Sequence, residues 1–423
     1  MILFTLLPEI VAFLQFVMIS VQETPFGPVL VALQFALFGL LALTRPGELL
    51  QTIIRWWPLM LLQILALASS FWSSVPDMTA RYAAQALYTT LSALFLARLL
   101  GPRKFLIILT CSAFTFCVLS MLYGRQGSSF HNTVLIGLTG SKNQMAFEAL
   151  MLLMAAISTL MLSRLSPLVR WIAILAVPFA MYLLIATESS TALVLGIVGS
   201  LLVIGCRFAE RFSPGGRLGA VLMGFAILTP MTLLLPEINA GVDHFLFDTL
   251  NKDPTLTGRT QLWDRADDLI ARRPVVGWGF QAIWMGDSED TIALRRLTNI
   301  EDGRVFNFHQ QWRQIGVDTG WLGILIYALT AIVAIFAGFR QFLLRPSVPT
   351  SFYFVTFTLL VARSFVEIIL ATFSIHAIVF YAAAVFMIAV NQEAPQPAPQ
   401  RLQAPVLRGP LAQARMRAGM RRT

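Results

Sequence analysis

Apolar residues dominate the chain in long runs, and short polar segments separate these runs. A helix of about 20 apolar residues is long enough to cross the ~30 Å hydrocarbon core of a bilayer. The pattern therefore predicts an all-α, polytopic membrane protein with about 12 transmembrane helices. The predicted spans lie near residues 3–20, 28–44, 54–70, 80–99, 104–122, 142–162, 168–187, 190–207, 218–235, 319–339, 352–371 and 373–390.

The charges support this interpretation and predict an orientation. Of the 423 residues, 13% are charged, whereas a typical soluble domain has about 25%. The net charge of +9 comes from Arg and Lys residues that cluster in alternate short loops. Such loops lie in the cytoplasm, so an even number of spans places both termini there. Because the basic residues follow this topology, they do not indicate a nucleic-acid partner.

Two segments fall outside the apolar pattern. The tail 391–423 is rich in Pro, Gln, Ala and Arg, and it is predicted to be a disordered, basic, cytoplasmic segment. The polar segment 236–317 carries several Trp and Phe residues and separates spans nine and ten. We expect it to form an ordered subdomain on the outer side. Four domains are therefore predicted. They are residues 1–235 with spans one to nine, the outer subdomain 236–317, residues 318–390 with spans ten to twelve, and the tail 391–423.

The stretch NFHQQWRQIGVDTGWLG, which begins at Asn307, carries polar residues to the start of span ten. His309 and Arg313 are four residues apart and are predicted to share a helical face, with Gln314 close by. A histidine at this boundary can exchange a proton near neutral pH. The alternative is a boundary histidine that only makes hydrogen bonds.

The stretch LTGRTQLWDRADDLIARRPVVGWGF, which begins at Leu256, is predicted to contain a helix with Arg259 and Trp263 on one face. An Arg in a first turn is unusual, because the helix dipole favours anions there. A bound phosphate would explain this position. The alternative is a pair between Arg259 and Asp264, or another carboxylate of the loop.

Further ionisable residues lie at the predicted membrane surface or within it. Lys142 with Asn143, and Arg81, lie at outer mouths of spans and face the same compartment as His309, which makes them candidates for substrate binding. Arg363 and Glu367 lie four residues apart within span eleven and are predicted to form an internal ion pair.

Several motifs of other enzyme classes are absent from the sequence. It has no Gly-rich phosphate loop followed by Lys and Ser or Thr, and no His/Cys set with zinc spacing. It has no Gly-x-Ser-x-Gly nucleophile elbow. We therefore expect a reaction without metal or other cofactor, on a substrate that already lies in the membrane.

The stretch that begins at Leu256, followed along the chain by the stretch that begins at Asn307, resembles the O-antigen ligase/polymerase family of bacterial surface-polysaccharide enzymes. The chain departs from the family pattern with Gln310 for Asn, Asp318 for Glu, and Arg313 for Leu. Ser190 stands near the start of span eight, where a basic residue is common. The matching residues are Thr257, Gly258, Arg259, Trp263, Pro274, Gly277 and Gly279, followed by His309, Gln314, Gly320 and Gly323.

The resemblance implies glycosyl transfer at the periplasmic face of the inner membrane. The donor would be an undecaprenyl-diphosphate-linked saccharide, and the acceptor a saccharide hydroxyl, with inversion at the transferred carbon. His309 would be the general base and Arg259 would bind the diphosphate. The lipid bilayer is an expected partner, and a chain-length regulator is a candidate. The residues expected to contact diphosphate or glycan are Lys142, Asn143, Arg81, Arg313, Gln314 and Trp263.

The resemblance leaves the acceptor open. The stretches SKNQMA and ARSFVEI look closer to exopolysaccharide polymerases, which join lipid-linked repeats. An O-antigen ligase, which transfers the glycan to lipid A–core, is the alternative. A transporter of polysaccharide or lipid-linked sugar is the alternative from another class, because twelve spans are common among transporters. The late position of the long loop and the absence of an evident internal repeat argue against a transporter.

Overall fold

The computed structural model of the protein describes residues 2–21, 24–128, 133–233, 259–298 and 306–389. The predicted tail and the whole of the segment 236–258, which includes the motif residues Thr257 and Gly258, lie outside the described residues. The described helices are α1 (Ile2–Val21), α2 (Gly27–Thr44), α3 (Pro46–Ala68), α4 (Pro76–Tyr123), α5 (Lys142–Leu160), α6 (Pro167–Ala186), α7 (Ser190–Ala209), α8 (Pro214–Leu233), α9 (Arg259–Arg272), α10 (Ala282–Met285), α11 (Glu289–Thr298), α12 (Gln311–Leu344), α13 (Val348–Arg363) and α14 (Ile375–Ala389).

The all-α, multi-pass prediction is confirmed, since each predicted span overlaps a helix. Helix α4 carries spans four and five and is broken at Gly101. By length and composition, seven helices of the described chain are able to cross a membrane, and shorter apolar helices accompany them. Span eleven was predicted too long, because α13 ends at Arg363 and an irregular segment follows it.

Helices α5 and α14 form the centre of the bundle. Both are buried over almost their whole surface, as expected for helices that are apolar on all sides. Helices α2, α6 and α7 instead expose large apolar side chains such as Leu43 and Trp171. In a chain of this composition, those exposed faces are suited to lipid.

One short hairpin was not predicted. Strands β1 (Arg125–Ser128) and β2 (Thr133–Gly137) pair in antiparallel fashion between α4 and α5. The hairpin leads to Ser141, whose side chain accepts a hydrogen bond from the N–H of Gln144 and so caps α5.

A smaller apolar core lies beneath the polar segment. Leu262, Ala266 and Leu269 follow a helical spacing on α9 and pack with Trp284 and Phe308. This core places the start of α9 close to the start of α12. The boundaries 236 and 317 of the predicted subdomain stay a prediction.

Helix α12 is broken at Gly320, where φ is 67°. The break frees the carbonyls of Val317 and Asp318 and the N–H groups of Trp321 and Leu322, which bond pairwise in an unbroken helix. All four groups find partners in the turn 274–279. The bonds run from Trp321 N to Pro274 O (2.7 Å), Leu322 N to Val275 O (3.3 Å), Trp278 N to Val317 O (2.8 Å) and Gly279 N to Asp318 O (3.0 Å).

Glycine is required on both sides of this contact. A Cβ at Gly320 would overlap the Val275 carbonyl, and one at Gly277 would lie 2.6 Å from the backbone of Asp318. Both glycines also have positive φ. The Pro-x-x-Gly-x-Gly motif that begins at Pro274 and the glycine eleven residues after His309, Gly320, therefore form one tight contact between the loop and helix α12.

Candidate functional site

His309 lies just before α12 and not within it. Its φ is 49°, in the left-handed region that non-glycine residues rarely adopt. Its N–H donates to Asn307 Oδ1 at 2.8 Å, and its ring meets the Phe306 ring edge-on at 5.1 Å. The expectation that His309 and Arg313 share a helical face is therefore wrong, since α12 begins at Gln311.

The glutamines after His309 fasten the start of α12. The Gln310 side chain caps the helix by accepting from the N–H of Arg313 at 2.6 Å. Gln311 reaches the segment 364–374, where its Oε1 accepts the N–H groups of Ile369 and Leu370, both at 2.8 Å.

Two further contacts tie the same segment to α12. The N–H of Gln311 donates to the Ser364 carbonyl at 2.9 Å, and Trp312 Nε1 donates to Ser364 Oγ at 2.9 Å. The loop after α13 is therefore held against the residues that follow His309.

Glu367, on this loop, lies between the two predicted catalytic residues. Its Oε1 is 3.0 Å from Arg259 Nη2, and its Oε2 is 3.6 Å from His309 Nδ1. Arg259 Nη1 also donates to the Val366 carbonyl at 3.0 Å. The structure therefore brings His309 and Arg259 together around one carboxylate.

The surroundings of Glu367 favour its ionised form. Burial raises the pKa of this carboxyl, but the contact with His309 and the charges of Arg363 and Arg259 lower it more. The net result is a pKa below the ordinary value of Glu.

The predicted Arg363–Glu367 ion pair is not formed. The Glu367 N–H still donates to the Arg363 carbonyl at 3.0 Å, but the Glu367 carboxylate turns to Arg259 and not to the Arg363 guanidinium. The Arg363 guanidinium packs on the Phe147 ring, and its Nε and Nη1 have no hydrogen-bond partner among the described residues.

Trp263 and Gln314 hold the backbone next to His309. Trp263 Nε1 donates to the Phe308 carbonyl at 2.9 Å, and Gln314 Oε1 accepts the Phe308 N–H at 3.3 Å. Arg313 forms two hydrogen bonds with Asp267, at 2.8 and 2.9 Å, and lies over the Trp263 ring. These contacts are structural; substrate binding by the three residues stays a prediction.

Lys142, Asn143 and Arg81 lie apart from this cluster. Lys142 and Asn143 open α5, and Arg81 is exposed on α4. Within the described chain, no hydrogen bond or ion pair joins any of them to His309, Arg259 or Glu367. Their predicted role in binding stays a prediction.

Sequence reasoning did not identify Glu367 as a member of the site. The signal available was an acidic residue at a predicted membrane depth, where ionisable groups are expensive. Its distant partner, Arg259, could not be read from local spacing. Among the described residues, no group of three or more His, Cys, Asp or Glu side chains is placed to hold a metal ion.

Two comparisons with known proteins bear on this cluster. A family model described as O-antigen ligase matches residues 174–328, which include Arg259 and His309. The exopolysaccharide production protein ExoQ of Rhizobium meliloti (strain 1021) is 27% identical over 316 residues, covering 73% of this chain and 71% of the relative. Together with the loop motifs, these findings support the assignment of the chain to the O-antigen ligase/polymerase-like family.

Proposed function

We propose that this protein is a membrane glycosyltransferase that acts at the periplasmic face of the bacterial inner membrane. It transfers a glycan from an undecaprenyl-diphosphate-linked saccharide to an acceptor hydroxyl. The family supports glycosyl transfer in surface-polysaccharide biosynthesis as the general activity. The observation that carries the finer proposal is the placement of His309 and Arg259 on opposite oxygens of Glu367.

His309 is the general base in this proposal. Because Nδ1 faces the Glu367 carboxylate, the ring proton belongs on Nδ1, and Nε2 is left to accept a proton. The acceptor oxygen attacks the sugar carbon that carries the diphosphate, and its proton passes to His309 Nε2.

Arg259 binds the leaving diphosphate and stabilises its charge. As the bond from sugar carbon to phosphate oxygen breaks, the electron pair stays on the phosphate and its negative charge grows. A guanidinium has five N–H donors, and two of those on Arg259 are directed to Glu367 and Val366. The remaining donors bind the phosphate oxygens and stabilise that charge. Attack opposite the leaving group inverts the carbon.

We favour the joining of exopolysaccharide repeats over ligation to lipid A–core. The supporting observation is the relative, whose name refers to exopolysaccharide production. A chain-length regulator is a proposed partner, and the bilayer supplies the lipid-linked donor.

The test uses cells that lack the gene, complemented with wild type, His309→Ala, Arg259→Ala or Arg259→Lys at matched membrane levels. We expect single lipid-linked repeats in place of polymer for both alanine variants, with polymer lowered at least about 100-fold. Arg259→Lys is expected to recover little activity, because a lysine cannot reproduce the forked donor geometry.

Other outcomes separate the alternatives. Full-length glycan on lipid A–core in the complemented wild type would indicate a ligase. Normal surface glycan with His309→Ala would refute the general base. If lipid-linked repeats then failed to reach the periplasm when the whole gene is absent, a transporter would be the better account.

A further inference from the structure

A stripe of exposed apolar side chains runs along α12 after the break at Gly320. Its members follow one another at intervals of three or four residues, which places them on one helical face. In a multi-pass membrane protein, such a face is suited to lipid. The members, each more than half exposed, are Trp321, Leu325, Leu329, Ile332 and Phe336.

The sequence sets the depth of Trp321 in the membrane. No charged residue lies between Trp321 and Arg340, which is exposed 19 positions later on the same helix. At ~1.5 Å per residue this distance is about 29 Å, close to the ~30 Å hydrocarbon core of a bilayer. Because a charged guanidinium is costly inside the core, Arg340 marks one membrane surface. Trp321 then lies at the opposite edge of the core, where indole rings are enriched.

Phe71 reaches a similar depth from helix α3. It ends the single 3₁₀ turn Ser69–Phe71 that follows α3, and its side chain is 92% exposed. The charged residue that precedes it, Arg55, is exposed 16 positions earlier, or about 25 Å along the helix. This length is shorter than the hydrocarbon core, so the Phe71 ring lies inside the core or at its edge.

The turn 274–276 is held between these two helix ends. Trp72 Nε1 donates to the Val276 carbonyl at 3.2 Å, and the Leu322 N–H donates to the Val275 carbonyl at 3.3 Å. The side chains of Val275 and Val276 are 66% and 37% exposed. Since the ends of α3 and α12 fix the depth of this turn, the two valines lie at the edge of the core as well.

A basic residue stands next to the apolar pair. Arg273 is exposed, and its guanidinium lies over the Trp278 ring at 4.3 Å from the ring centre. At a membrane surface, apolar side chains enter the acyl region while neighbouring cations meet the lipid phosphates. The order Arg273, Pro274, Val275, Val276 therefore favours lipid as the neighbour of this turn.

We propose that an apolar patch formed by Phe71, Val275, Val276 and Trp321 enters the lipid leaflet at the broken end of α12. Acyl chains contact the patch, and lipid phosphates contact Arg273. The patch thereby anchors the end of α9 to the membrane surface. The inference goes beyond the proposed function and does not depend on it, because it concerns the bilayer and not the reaction.

The test measures the depth of single spin labels in the full-length protein, purified in nanodiscs after its natural cysteines are replaced by alanine. Nitroxide labels are attached at Phe71→Cys and at Val275→Cys, two exposed positions where a label needs no space in the core. EPR power saturation compares collisions with oxygen, which concentrates in lipid, and with a nickel chelate, which stays in water. We expect both labels to lie roughly 5–10 Å below the lipid phosphates.

Two control labels calibrate this measurement. Leu329→Cys, in the middle of the exposed stripe on α12, should report deeper lipid. Glu289→Cys, exposed on α11, should report water. A label at Val275→Cys that behaves like the one at Glu289→Cys would overturn the proposal. Low access of both reagents would mean that protein, such as a second copy of the chain, covers the patch, and would overturn it too.

Val275→Asp tests whether the patch acts as an anchor. A carboxylate at the edge of the core is costly, so the turn should leave the lipid. Hydrogen exchange in nanodiscs should then be about tenfold faster or more at the Trp278 and Leu322 amides, because their bonds hold the turn against α12. Ile292→Asp, at an exposed apolar position on α11, is the matched control and should exchange like wild type. Unchanged exchange in Val275→Asp would refute the anchor.

The outcome is separate from that of the proposed function. His309→Ala leaves every side chain of the patch in place, so failure of the general base would not change the depth of either label. If both labels report water while His309→Ala makes no polymer, the anchor is wrong and the glycosyltransferase stands.

Discussion

Glu367 binds Arg259 at 3.0 Å although 108 residues of sequence separate them. The contact joins the first residue of α9 to the loop after α13, and the other oxygen of the same carboxylate faces His309. One side chain therefore fixes the distance between the proposed base and the proposed phosphate-binding group. Such fixed geometry is what proton and group transfer require.

Glu367→Gln is expected to lower stability at neutral pH but not in acid. The folded pKa of Glu367 lies below its ordinary value, so its contribution is complete above the unfolded pKa of about 4.3. The contribution is lost as the pH falls through the lower folded value. Thermal unfolding in detergent should therefore give a lower midpoint than wild type at pH 7, by roughly 2–4 °C for each kcal/mol lost. The two midpoints should converge towards pH 3.

The exposed residue Glu289 provides the control for this experiment. Glu289→Gln should follow wild type at every pH. A difference between Glu367→Gln and wild type that stays constant from pH 7 to pH 3 would contradict the charge-based account.

Gln311→Leu is expected to release the loop that carries Glu367. The substitution leaves the N–H groups of Ile369 and Leu370 without their acceptor, at a cost of about 1–3 kcal/mol for each buried group. We expect polymer per folded molecule to fall about tenfold or more, because a small displacement at a site is costly. Polymer yield normalised to folded protein, measured by fluorescence-detected gel filtration, provides the check.

Gln341 offers a matched control on the same helix. It is also buried, and its Nε2 donates to the Phe386 carbonyl at 3.1 Å. Gln341→Leu should lower stability without changing polymer per folded molecule. Equal loss of activity in both variants would mean that general destabilisation, and not the position of the loop, explains the effect.

Gly320→Ala is expected to destabilise the protein. The new Cβ would meet the Val275 carbonyl, at a φ that alanine rarely adopts, so we expect a cost of about 1–3 kcal/mol or more. Gly205→Ala is the control, since nothing lies within 4 Å of its Cβ position on α7, and alanine favours helix there. Unfolding midpoints of the two variants should move in opposite directions, and an unchanged midpoint for Gly320→Ala would contradict the tight joint.

The orientation predicted from the basic loops can be tested by cysteine labelling. The three natural cysteines, Cys111, Cys117 and Cys206, are first replaced by alanine. Gln126→Cys, exposed in the hairpin, should react with a membrane-impermeant maleimide added to spheroplasts. Ser163→Cys, exposed between α5 and α6, should react only after the membrane is opened. The reverse pattern would invert the topology and place the site on the cytoplasmic side.

The helices could be predicted from the sequence because long apolar runs have few other solutions in a bilayer. The end of α13 could not, since no glycine or proline follows Arg363 directly. Without that boundary, the four-residue spacing of Arg363 and Glu367 indicated a pair on one helix. The observed turn sends Glu367 to a partner that only the tertiary fold brings near.

The site residues divide in the same way. His309 and Arg259 were predicted from their motifs, but Arg313 was predicted to share a helical face with His309. In the structure His309 precedes the helix, and Arg313 pairs with Asp267 on α9. A four-residue spacing predicts which side chains are neighbours within a helix. The position of a residue that precedes the helix depends instead on the helix cap and on the loop before it.

The short spacing between His309 and Gln311 has a consequence for how this chain can vary. His309 is the proposed general base, and Gln311 holds the loop that carries Glu367, with Gln310 between them as the helix cap. Because Gln311 is already part of α12, an inserted or deleted residue between the two would leave Gln311 in place and move His309 by up to about 3.5 Å relative to Glu367. The base would then lose its carboxylate partner even if every side chain were retained. The length of this segment is therefore as much a requirement of the proposed site as the residues themselves.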